Sequence, residues 1–187
     1  MPAKRAAKPD VPPPGEPTGK ALIDRIVRVD QAGEYGAKRI YEGQLAVLRN
    51  SPNRGLIEHM AEQEREHLEA FDRLIVERGV RPTALNPLWH FAGFALGAGT
   101  ALLGEKAAMA CTVAVEEVIG EHYANQAAKL GDDEADLKAK IEKFRDDELE
   151  HRDIGLEKDA EQAPAYRLLT SVIKRGSRAA IWMAERV

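Results

Sequence analysis

The sequence predicts an all-α protein: an antiparallel four-helix bundle with additional apolar or amphipathic helices. Three observations carry this. Ala, Leu, Glu, Lys and Arg dominate while aromatic residues make up only 5%, a composition of helix formers. Apolar residues recur at three- and four-residue spacing over long stretches, and no convincing strand pattern interrupts them. Gly, Pro and Asn cluster at only a few places, so long helices are joined by short turns and fold back on one another. The 187 residues suffice for one domain with a sizeable core.

The first twenty residues, MPAKRAAKPDVPPPGEPTGK, hold six prolines and four basic side chains but almost no large apolar residue. They are expected to be a disordered tail (1–20) ahead of one domain (21–187). No apolar run follows the basic cluster, so the tail does not read as a secretory signal, and its proline density argues against an amphipathic presequence. The first helix is expected over about residues 20–49, ending at "NSPN", where Ser51-Pro52 starts the second. That helix runs to Gly79, and "RGVRPTALNP" connects it to a third, strongly apolar one beginning near Pro87. A fourth follows Glu105 and reaches Leu130-Gly131, with the glycine as its expected C-cap. Asp132 or Asp133 is expected to cap a fifth, which extends to about Ala160. After Pro164 a sixth covers about residues 165–186.

Several function classes are excluded. The net charge of −4 gives no electrostatic basis for nucleic-acid binding. Cys111 is the only cysteine, which rules out an intramolecular disulfide, a four-cysteine zinc site and a cysteine-ligated iron–sulfur cluster. "GFALGAGTALLGEK" misses the dinucleotide fingerprint at Leu102 and the phosphate loop at Glu105.

Two tetrapeptides direct attention to the interior. Glu64-Arg65-Glu66-His67 returns as Glu148-Leu149-Glu150-His151. In the second helix the apolar stripe of Ile57, Met60, Ala61, Leu68, Phe71 and Ile75 passes over Glu64 and His67, leaving Glu62, Glu66 and Glu69 on the polar side. In the fifth, Leu137, Ile141, Phe144 and Ile154 enclose Glu148 and His151. The first helix turns Glu34 inward with Ile23, Val27, Ala37, Tyr41, Leu45 and Leu48. The fourth does the same for Glu116, beside Met109, Thr112, Ile119 and Tyr123, and leaves its neighbour Glu117 as an alternative. One half of the chain repeats the other: a single glutamate, then Glu-x-x-His 30 or 32 residues later. Four carboxylates about 5 Å apart repel by roughly 3 kcal/mol per pair even at a dielectric near 20. Two divalent cations cancel that charge. Oxygen and imidazole donors without thiolate suit iron or manganese, in the arrangement of two-metal carboxylate bundles. Asp30, one turn before Glu34, is either an acceptor for a ligand histidine or a surface acid. Tyr123, His122 and Tyr41 are candidates to line a substrate pocket, or are packing residues.

The stretches "RVDQAGEYGAKRIYEGQL", "ACTVAVEEVIGEHYANQ" and "FRDDELEHRDIGLE" closely resemble the demethoxyubiquinone hydroxylases of ubiquinone biosynthesis, over the chain from about Ala21 onward. The resemblance implies a ferritin-like fold and a di-iron centre on Glu34, Glu64, His67, Glu116, Glu148 and His151. It implies an enzyme that uses dioxygen to hydroxylate the ring of a polyprenylated methoxybenzoquinol. It also implies a peripheral membrane protein, on the cytoplasmic face of a bacterial inner membrane or the matrix side of the mitochondrial one. A lipid-presenting accessory protein and other enzymes of the pathway are the partners it suggests.

The membrane expectation has its own basis. No formal charge falls between Pro82 and Gly104, and "LWHFAGFALGAGTALLG" is 17 residues, about 26 Å as helix and short of a span. It reads as a surface dipping into one leaflet with Trp89, Phe91 and Phe94 as anchors, or as a core helix packed through Gly93 and Gly97. The last helix sets Ile173, Trp182 and Met183 beside Lys174, Arg175 and Arg178, which suits anionic headgroups or an ordinary surface. The competing functions are a ferritin-like protein that oxidises and stores iron, which needs a hydrophilic exterior, and a metal-free bundle of buried salt bridges.

Overall fold

The computed structural model describes residues 17–187, and among them six α-helices and no strand. They are α1 (Lys20–Val47), α2 (Arg54–Arg78), α3 (Asn86–Leu102), α4 (Glu105–Ala127), α5 (Ala135–Glu157) and α6 (Tyr166–Ala184). The expectation of a disordered tail concerns residues that lie outside the described ones, apart from the last few. The joints follow the sequence signals with two corrections. Gly79 closes α2 in the left-handed region (φ 62), with its own N–H on Val76 O and that of Val80 on Ile75 O, a Schellman end. Gly131 was expected to do likewise for α4, but α4 ends at Ala127 and Gly131 is extended (φ −86). Asp132 and Asp133 lie in a short 3-10 turn and give α5 no side-chain cap.

Two apolar layers define the topology. One gathers Ile26 and Val27 of α1, Phe71 and Leu74 of α2, Tyr123 and Ala127 of α4, and Ile141 and Phe144 of α5. The other gathers Tyr41, Ile57, Met60, Met109 and Val113, with Ile154 beside them. In chain order, α1 and α5 run from the first layer to the second, while α2 and α4 run from the second to the first. Each hairpin, α1–α2 and α4–α5, is therefore antiparallel, but α2 and α4 are parallel. A crossover must carry the chain back, and α3 is that crossover.

It lies along the outside of α1 at close range. A Cβ on Gly97 would stand 1.9 Å from Ile40 O, one on Gly93 2.7 Å from Gly36 O, and one on Gly43 2.3 Å from Phe94 O. Only glycine permits that approach. α6 covers the neighbouring outer face, against α4 and α1, so the outer layer of α3 and α6 rests on the α1/α4 side of the bundle. The two expectations for α3 thus divide by face. Its glycine face is buried on α1, and its other face exposes Leu88, Phe91 and Leu102, with Leu103 exposed just past its end. Of the expected anchors only Phe91 is exposed. Trp89 is half-buried among Val29, Ala32 and Ala184, and Phe94 lies under the Arg39 guanidinium. In α6 Ile173 is buried, Trp182 is exposed, and Lys174 and Arg178 pair with Glu117 and Glu121 of α4.

Candidate metal centre

Between the two apolar layers each core helix carries one polar turn. Burial follows the stripes read from the sequence: Glu34, Glu64, His67, Glu116, Glu148 and His151 are at most 1% exposed. Glu62, Glu66, Glu69 and Glu150 face outward. Glu117, the alternative to Glu116, is half-buried and pairs with Lys174 instead.

The six residues form two overlapping groups, Glu34–Glu64–His67–Glu148 and Glu64–Glu116–Glu148–His151. Within each, one ligand atom per residue lies within 4.8 Å of all the others. Glu64 and Glu148 belong to both groups, so each spans the two sites. Both oxygens of Glu64, one each of Glu34, Glu116 and Glu148, and Nδ1 of His151 are buried without a hydrogen-bond partner. Orphaned oxygens turned toward one another are costly, and metal cations would satisfy them. The donor set fits such ions.

The protein's own charges show the same frustration. Burial, then the neighbouring carboxylates, pushes Glu64 and Glu116 well above the ordinary range. Burial alone would lower His67, but Glu148 and Glu34 raise it to about 11, and His151 is raised too, chiefly by Glu148. Glu148, which burial would raise, is held down to about 2 by the two histidines. By itself the cluster must retain protons; cations would replace them.

The sequence profile described as Ubiquinone biosynthesis protein COQ7 matches residues 21–184. The chain belongs to the COQ7 family. It is 63% identical over 175 residues to a 3-demethoxyubiquinol 3-hydroxylase of Rhodospirillum rubrum, covering 93% of this chain and 82% of that one. It is 56% identical over 172 residues to the NADPH-dependent mitochondrial 3-demethoxyubiquinone 3-hydroxylase of Homo sapiens, covering 90% and 79%. The 5-demethoxyubiquinone hydroxylase of Saccharomyces cerevisiae mitochondria is 44% identical over 184 residues.

In this COQ7-family chain the groups that hold the histidines are not those the sequence suggested. His67 Nε2 lies 3.0 Å from Asp147 Oδ2, and His151 Nε2 lies 3.1 Å from Gln63 Oε1. Their Nδ1 atoms face the carboxylates. Asp30 is buried but bonds to Gln126, 2.7 Å from Oδ1, rather than to a candidate ligand. The tyrosines brace the single glutamates crosswise: the Tyr41 hydroxyl donates to Glu116 Oε1 at 2.8 Å, and the Tyr123 hydroxyl to Glu34 Oε1. The internal repeat is therefore deeper than first read. Gln63-Glu64-x-x-His67 matches Asp147-Glu148-x-x-His151, and Glu34-x6-Tyr41-x2-Gln44 matches Glu116-x6-Tyr123-x2-Gln126. Each half's Gln or Asp, and each half's tyrosine, serves a ligand-type residue of the other half. A spacing comparison of the two halves would have shown this.

The pocket candidates fall apart from an apolar trough. A trough of about 370 Å³ lies between α3 and α6 over a floor of α1 and α4, lined by small residues such as Ala32, Gly36, Gly93, Gly176 and Ala180. Tyr123, Tyr41 and His122 do not line it. Its floor includes Ala37 and Ile119, one turn from Glu34 and Glu116.

Proposed function

We propose that this chain is a 3-demethoxyubiquinol hydroxylase that binds two iron ions, at a membrane surface. The observation that carries it is the pair of buried Glu/His groups sharing Glu64 and Glu148, one helical turn from an apolar trough. Glu34 and His67 would hold one ion, Glu116 and His151 the other, with Glu64 and Glu148 bridging. Iron bound there would supply the redox chemistry that lets dioxygen attack an electron-rich ring.

The chain's own residues set the conditions. Asp147 and Gln63 accept the Nε2–H of each imidazole, leaving Nδ1 free as a ligand. Tyr41 and Tyr123 fix the terminal carboxylates, the role favoured here for Tyr123 over contact with the quinol. The apolar layers keep bulk water from the centre. The trough suits an isoprenoid chain, because its walls are methyl and glycine surface with Ser177 the one hydroxyl. No helix among the described residues is long and apolar enough to cross a membrane. Leu88, Phe91 and Leu102 on α3, Leu103 just past its end, and Leu168, Val172 and Trp182 on α6 are exposed on the two helices that flank the trough, and would enter one leaflet and admit the quinol from lipid. The same surface speaks against a hydrophilic storage cage. The names of the mitochondrial relatives point to a nicotinamide reductant, and a lipid-presenting accessory protein remains a suggested partner.

The test is to supply iron-loaded protein with the demethoxyquinol, a two-electron reductant and dioxygen, and to read the product by mass. A quinol heavier by one oxygen is expected. Unchanged quinol alongside mineralised iron would support storage instead.

A further inference from the structure

We propose that Asp30 and His122 form a proton-relay pair, opening the buried centre to solvent at only one of the two equivalent junctions between the repeat's halves, with Gln126 holding the two in place. This rests on the hydroxylase reading. There the ring C–H becomes C–OH with one atom of dioxygen, the O–O bond breaks, and the other atom leaves as water. The reaction takes up two electrons and two protons. The hydride of a nicotinamide reductant accounts for both electrons and one proton, so at least one proton must come from solvent. Every candidate ligand is at most 1% exposed, and a route is required.

The internal repeat shows where it lies, because it supplies a comparison within the molecule. Gln44 and Gln126 occupy equivalent positions. Each reaches across to the residue one turn before the other half's single glutamate. Gln44 donates to Thr112 Oγ1 (3.4 Å) and to Ala108 O (3.1 Å). Gln126 donates to Asp30 Oδ1 (2.7 Å). One turn before each glutamine the halves differ again. Ile40 is buried under α3, whereas His122 sits 2.8 Å from Gln126, its side chain 19% exposed. The repeat is kept at the glutamates, histidines, tyrosines and glutamines. It breaks at two equivalences, Asp30 in the first half against Thr112 in the second and Ile40 in the first against His122 in the second, and Asp30 and His122 are neighbours across the bundle: His122 Nε2 lies 3.7 Å from Asp30 Oδ1.

The protonation states agree with that reading. Burial, only partly offset by Gln126, keeps Asp30 well above the carboxylate range, and its Oδ2 has no hydrogen-bond partner. Burial lowers His122, so its ring is neutral and its Nε2 accepts from the Gln126 amide. The charged groups facing His122 are Asp30 and Arg25 from α1, Lys129 just past the end of α4, and Glu185 just past the end of α6. Asp30 faces Glu34, and its charge is felt by the Tyr123 hydroxyl. Asp30, which holds its proton, can release it within one turn of Glu34 and be reprotonated by His122, whose Nε2 lies 3.7 Å from Oδ1.

Two measurements test this on the full chain. In metal-free protein the His122 ring is titrated by NMR, one of only five histidines. Asp30→Asn should move its midpoint by about half a pH unit or more, since coupled groups titrate together, and Thr112→Val should not move it. In iron-loaded protein of full metal content, Asp30→Asn and His122→Ala should slow hydroxylation by about 10- to 100-fold, more severely as pH rises. Added imidazole should restore His122→Ala, while Thr112→Val runs at the wild-type rate. An unmoved His122 titration, or a His122→Ala enzyme with wild-type rate and pH profile, overturns the proposal. His122 reaches solvent, so its variant decides the matter even if Asp30→Asn fails to fold. If the wild type itself makes no hydroxylated quinol, the hydroxylase reading falls, and the titration still decides the pair.

Discussion

Replacing Phe91, Leu102 and Leu103 with serine isolates the outer face of α3 from everything behind it. These side chains are 72%, 75% and 62% exposed, together about two whole side chains available to lipid. At ~1.5–3 kcal/mol per buried side chain they would contribute roughly 3–6 kcal/mol to membrane binding. With tenfold per 1.4 kcal/mol, the variant should bind liposomes roughly a hundredfold to ten-thousandfold more weakly. Co-sedimentation against lipid concentration measures this directly. None of the three residues belongs to a buried cluster of the bundle, so melting temperature and iron content should stay near wild type. Phe94 and Leu96 are unsuitable for the purpose, because Phe94 lies under Arg39 and Leu96 packs near Ile40 and Val115. Undiminished liposome binding by a folded triple variant would refute the placement of this face in the membrane.

Gly97→Ala places a methyl 1.9 Å from Ile40 O; α3 must lift from α1, at about 1–3 kcal/mol or more, read as a lower melting temperature with iron retained. Tyr41→Phe leaves Glu116 Oε1 without its donor, and should cost the metal-free protein about 1–3 kcal/mol in denaturant unfolding. The metal-free protein should also lose stability as pH rises. Glu64, Glu116 and His67 have folded pKa values above their unfolded ones. Their contribution is complete below the unfolded values and disappears as pH climbs through the folded ones, for His67 between 6.5 and about 11. Glu148 works in the opposite sense, losing its contribution as pH falls from 4.5 to about 2. Thermal melts across pH should show a metal-free optimum on the acid side of neutrality, and metal affinity should rise with pH as bound protons are displaced.

The helices and the inward acids were legible because both follow one periodicity. An apolar stripe that passes over Glu64 and His67 leaves a single orientation for them, and burial agrees at all six positions. Legibility fell where a residue's role depends on what lies across the bundle. Asp147 and Gln63 read as surface polar residues on their own helices, and only the facing histidine gives them a purpose. Asp30 was open as either an acceptor for a ligand histidine or a surface acid, and it is neither, being buried and bonded to Gln126, 96 positions away. The direction of α2 relative to α4 was also hidden. Short loops imply antiparallel neighbours, and α3 read as a membrane or core segment rather than the crossover that makes α2 and α4 parallel. Gly131 shows the limit of punctuation: a glycine near a helix end permits a left-handed cap without requiring one.

The central claim is that two metal ions sit on six buried side chains with Glu64 and Glu148 shared between them. It is tested most directly by anaerobic loading with ferrous iron and counting iron per folded chain in the wild type, Glu148→Ala and Glu150→Ala. Two irons are expected in the wild type and in Glu150→Ala, whose side chain faces water, and almost none in Glu148→Ala. A wild type that takes up no iron, or a Glu148→Ala chain that still binds two, would contradict the account.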